Sequence, residues 1–110
     1  MNVQRVQALA NYIAEHTERS FSMKDWPDCI GGHAARMSGS TSPMHDERLA
    51  EYLDIDVGTA NKLTMFPVGA QRDDRKHLAL MKSITRETAV TVLLNFAGTG
   101  EVLWPQAEAA

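Results

Sequence analysis

The sequence predicts an all-α fold, an irregular bundle of five or six short helices. Three observations carry this expectation. Apolar residues recur at the three- and four-residue spacing of helix faces along most of the chain. Capping residues stand where those runs begin, and glycine or proline where they end. The 110 residues, 44% hydrophobic and 23% charged, suffice for one core without staples and are too apolar for a disordered chain. The domain is expected over residues 1–105, with 106–110 a flexible tail.

The first helix is expected over residues 2–17 with Asn2 as its N-cap. Val3, Val6, Leu9, Ala10, Ile13 and Ala14 share a core-facing arc of about 140°. Residues 20–28 read as a connector that pins Phe21, Met23 and Trp26 into the core, because their spacing fits no single helix face. Pro27 discourages helix at Trp26 and suits the first turn of a second helix. That helix, residues 28–38, has unusual composition. Cys29, Ile30, His33, Ala34 and Met37 share one arc, while Gly31, Gly32 and Ala35 line the opposite side. Two glycines cost about 2 kcal/mol of helix propensity relative to alanine, so close approach of another backbone is expected in return. The pattern is that of a central helix packed on both sides.

Residues 38–42 read as a flexible loop. Ser42 is expected to cap a third helix with Pro43 in its first position, running to Leu53 and packing through Leu49, Ala50, Tyr52 and Leu53. Asp54, Ile55 and Asp56 make a tight turn, and Asp56 caps a fourth helix over 57–66 that Pro67 ends. After a loop at 68–72, Asp73 or Asp74 caps a helix that reaches Lys82. Thr85 begins the most apolar element, in which Ala89, Val90, Val92, Leu93, Leu94, Phe96 and Ala97 cover about 200° of the circumference. Gly98 and Gly100 stop it, and residues 102–105 close the fold as an extended segment.

The ordered string Phe21-x-Met23-x-x-Trp26-x-x-Cys29-Ile30-x-Gly32-His33-Ala34 resembles the core motif of a family of uncharacterised small helical proteins from bacteria and their phages. The resemblance extends through a two-helix unit ending at residues 63–67 and a closing T-G-x-V-x-W over 99–104. It implies an all-helical fold and no particular activity. Relatives often carry another cysteine before the Cys29 position. This chain has only one, which weakens any two-thiol metal or redox role.

The net charge of −3, from 11 basic and 14 acidic residues, disfavours nucleic acid as a partner, since phosphate neutralisation supplies most of such affinity. The lone Cys29, an N-terminus without an apolar leader run, and no stretch near the ~20 apolar residues of a membrane span predict a cytoplasmic protein that does not engage a membrane.

Three functional readings stand side by side. The leading one is a small, non-enzymatic interaction or accessory protein whose partner is another protein and which needs no cofactor. A second is helix-turn-helix-like DNA binding through residues 47–66, with Thr59, Asn61 and Lys62 facing a major groove. Its acids at Asp54 and Asp56, and its lack of arginine on the second helix, weigh against it. The third is a ligand or metal site around Trp26, Cys29, His33 and Arg36. Cys29 and His33, four apart, would share a helix face and supply two zinc ligands, the rest coming from His16, His45, His77 or an acid. Read instead as a nucleophile and base, the pair lacks a third group.

Overall fold

The computed structural model describes residues 1–23, 28–40, 44–64, 79 and 81–105. Every regular element among them is a helix: α1 (Val3–Glu15), α2 (Ile30–Met37), α3 (Asp46–Leu53), α4 (Val57–Thr64) and α5 (Arg86–Thr99), with residues 81–83 also helical. The chain is thus the irregular all-α bundle its sequence predicts. No helix of the described residues is long and apolar enough to cross a membrane. Trp26, Pro27, Ser42, Pro43, Phe66, Pro67, the loop at 68–72, the caps at Asp73 or Asp74 and the tail at 106–110 lie outside the described residues.

α1 starts where Asn2, in an extended conformation, accepts the Arg5 backbone N–H on its side chain at 3.0 Å. Val6, Leu9, Ala10 and Ile13 are buried, whereas Val3 and Ala14 are exposed. Both exposed residues lie on the same edge of the expected arc, so the packed face spans about 100° rather than about 140°. α1 and α5 form the most extensive helix pair. Arg86, the first residue of α5, joins their ends. Its Nη1 donates to the carbonyls of Ile13 (2.6 Å) and His16 (3.3 Å), and its Nη2 to that of Arg19. A guanidinium here satisfies carbonyls that a helix end leaves bare and complements the dipole.

α2 sits among α1, α3 and α4. Ile30, Gly31, Gly32, His33, Ala34 and Ala35 are all buried, so the helix has no solvent face until Arg36 and Met37. The expected backbone approach occurs at Gly31, where an added Cβ would lie 3.1 Å from the Met44 carbonyl oxygen. The helix begins two residues later than the sequence predicts, with Cys29 as an extended N-cap. Its far end corrects a second expectation. Residues 38–40 are not a flexible loop but a Schellman cap: Gly39 takes φ +79° and donates to Arg36, while Ser40 donates to Ala35 at 2.8 Å.

α3 starts at Asp46 with His45 as N-cap, later than the Ser42–Pro43 start expected. It buries Leu49, Ala50 and Leu53 and leaves Tyr52 half-buried. It ends on Asp54 at φ 56°, a left-handed conformation that aspartate tolerates better than most residues. Asp56 caps α4 as predicted, its Oδ1 accepting the Thr59 N–H at 2.6 Å. Thr85 caps α5 through the Thr88 N–H, and Gly100, at φ 78°, ends it. Gly98 is not a stop; the helix runs through it to Thr99. Leu94 is 44% exposed, so α5 is buried on a narrower arc than its composition suggested. The chain closes as expected, with Trp104 buried and its Nε1–H donating to the Lys62 carbonyl at 2.8 Å.

Two glycines separate backbone freedom from space. Gly31→Ala must push the Met44 carbonyl aside, and at the second position of a helix it recovers little propensity. Chemical denaturation should show a loss of about 1 kcal/mol for it. Gly98→Ala, with nothing within 4 Å, should instead gain a few tenths to about 1 kcal/mol.

Candidate functional site

The structure brings Cys29, His33 and Arg36 together at α2 but does not arrange them as the helical spacing implied. Because Cys29 is an extended cap, its carbonyl rather than its thiol meets His33. That oxygen accepts both the His33 backbone N–H at 3.0 Å and the Nδ1–H of its ring at 2.9 Å. A carbonyl only accepts, so Nδ1 carries the ring proton and Nε2 holds the bare lone pair. The Cys29 side chain is half-buried and makes no cap hydrogen bond.

His33 has no exposed surface. The rings of Tyr12 and Phe21 lie with centroids 6.3 and 5.7 Å from its own. Burial, reinforced by the cations of Arg36 and Arg86, holds its pKa below the ordinary value against the opposing pull of the Cys29 carbonyl and Asp28. Arg36 pairs loosely with Asp28, Nη2 to Oδ1 at 3.7 Å. Two buried atoms on this helix, His33 Nε2 and Arg36 Nη1, make no hydrogen bond. No group of three His, Cys, Asp or Glu side chains among the described residues is placed to hold a metal ion. The fourth expected member, Trp26, lies outside the described residues.

The second expected site divides. α3, the turn and α4 form the predicted helical hairpin, but its polar residues are partly engaged in holding it together. Asn61 donates through Nδ2 to Asp46 Oδ2 at 2.9 Å, and Thr64 donates to Asp46 Oδ1 at 2.6 Å. Thr59 is half-buried beside the Asp56 cap, and of the three residues only Lys62 is exposed. Thr59, Asn61 and Lys62 therefore do not form one open reading face.

Sequence reasoning missed a third place. An open groove of about 520 Å³ runs between the first turn of α1, the cap at 38–40 and one face of α3. Arg48, Glu51 and Tyr52 enter it from α3 at the spacing of a single helix face, Arg5 enters from α1, and Met44, 6% exposed, also lines it. The Arg5 guanidinium lies over the Tyr52 ring, 4.8 Å from its centroid, and its Nη1 donates to the Tyr52 carbonyl at 2.9 Å. Stacking plus a hydrogen bond fixes an otherwise mobile side chain. The only sequence signal was the spacing within α3. Nothing local could have joined Arg5 to a tyrosine 47 positions away.

The chain matches no protein-family model, no curated protein and no solved structure.

The buried histidine makes stability pH-dependent with a definite sign. Its folded pKa lies below its unfolded value of about 6.5, so the unfolded chain binds the proton more readily. Its contribution is complete above that pH and is lost as pH falls through the depressed folded value. Thermal melts taken between about pH 7 and about pH 5 should show falling stability. The slope should shrink in His33→Phe, which keeps a ring but cannot titrate. An unchanged slope would place the acid sensitivity elsewhere.

Proposed function

We propose that this chain is a non-enzymatic interaction protein that docks a partner protein in the groove between α1 and α3. One observation carries the reading. Among the described residues, Arg5 stacked on Tyr52 is open to solvent and held in place, with the exposed Arg48 lining the same groove, whereas His33 is sealed in the core. Recognition surfaces favour groups whose conformation is fixed before binding, because less entropy is then lost on association. Arginine and tyrosine are among the residues that most often anchor interfaces.

Duplex binding through the hairpin is the weaker reading, because Asn61 is occupied by Asp46 and the flanking charges at Asp54 and Asp56 are acidic. A ligand site at Cys29 and His33 is weaker too, since reaching His33 requires opening the core. The lone cysteine fits a cytoplasmic setting.

The test is site-specific photocrosslinking in the cell of origin. A crosslinker replacing Glu51 in the groove should yield a discrete protein adduct that one replacing the exposed Thr91 of α5 does not. Identical adducts from both positions would overturn the reading. So would substrate turnover by the purified protein that Cys29→Ala or His33→Ala abolishes.

A further inference from the structure

We infer that the groove's occupant is an extended acidic segment of the partner protein, whose carboxylates are held by Arg5 and Arg48. This rests on the docking reading above and adds the chemistry of the partner. The donors in the groove identify it. At the cap, the N–H groups of Gly39 and Ser40 are spent on the Arg36 and Ala35 carbonyls, and the Ser38 hydroxyl donates to Ala35 at 2.8 Å. The cationic donors lining the groove are the two arginines, and carboxylate recognition is assigned to them. Arg5 uses one Nη1 donor on the Tyr52 carbonyl and keeps the rest of its fork. Arg48 is exposed and has no ion-pair or hydrogen-bond partner among the described residues. A planar, pre-positioned guanidinium matches a carboxylate with two parallel hydrogen bonds.

The remaining lining narrows the class. Glu51 sets a negative charge in the same groove, so repulsion is greater for a continuous polyanion than for a peptide whose carboxylates are spaced apart. The half-buried Tyr52 ring offers some apolar surface beside the arginines, which suits an apolar side chain next to the acid. The groove is open rather than enclosed, as an extended chain requires and a small ligand does not.

Fluorescence anisotropy with a labelled peptide alternating glutamate and leucine tests this, against a lysine–leucine peptide and a single-stranded oligonucleotide of equal length. The expected result is binding of the glutamate peptide alone, weakened about tenfold by Arg48→Gln, the loss of one charge-assisted pair, and weakened by added salt. Arg48→Gln removes no described contact, so its melting temperature should match the parent and separate lost binding from lost folding. Glutamate-peptide binding that Arg48→Gln leaves intact, or that is no tighter than lysine-peptide binding, would overturn the inference. Tighter binding of the oligonucleotide would replace it with nucleic-acid recognition. A groove-specific crosslink to a partner lacking acidic segments would overturn this inference while leaving the docking reading in place.

Discussion

The structure depends on a helix with almost no outside. Over residues 30–35 every position of α2 is buried, and such a helix requires neighbours on all sides at close range. Gly31 permits this on one side by letting the Met44 carbonyl approach to where a side chain would begin. Small residues at 34 and 35 keep the rest of the circumference narrow. The cost is poor intrinsic helix propensity, offset by packing that no solvent-facing helix obtains. His33 is the polar exception, tolerable because it stays neutral and bonds to the carbonyl of its own N-cap.

The outer helices are fixed to one another by a few directional contacts. Arg86 ties the start of α5 to the carbonyls at the end of α1, the Asn2 N–H reaches the Leu53 carbonyl at 2.7 Å, and Trp104 bonds back to α4. The groove is a by-product of this arrangement. The Schellman cap at 38–40 stops α2 short, α3 begins only at Asp46, and the first turn of α1 crosses beside them. Arg5 then bonds across to Tyr52 on α3, one residue before the Leu53 carbonyl that receives Asn2. The same corner that holds the helices together thus also orients the side chain offered to a partner.

What the sequence made legible was what short-range physics decides. Asn2 and Asp56 could be read as caps, and each bonds a backbone N–H three residues on; Thr85, read only as the start of its helix, does the same. The central position of α2 followed from its glycines. Cys29 was misplaced inside that helix because cysteine in an extended cap leaves no compositional mark. The Schellman turn at 38–40 was hidden among serines, although Gly39 was its signal. Val3, Ala14 and Leu94 fit a helical face but lie where no neighbour covers them, which depends on the whole bundle. The apolar arc around His33 was readable, but its burial was not; nor was the groove, because Arg5 meets Tyr52 only through the fold.

α2 is the element around which the rest of the bundle is built, and native-state hydrogen exchange tests that role most directly. Amides of residues 33–37 should exchange only through global opening, with a protection free energy equal to the unfolding free energy from denaturation, while amides of the shorter and more exposed α4 exchange sooner. Exchange of 33–37 at a distinctly lower free energy, with the remaining helices still protected, would show that the bundle stands without α2 and would contradict its central role.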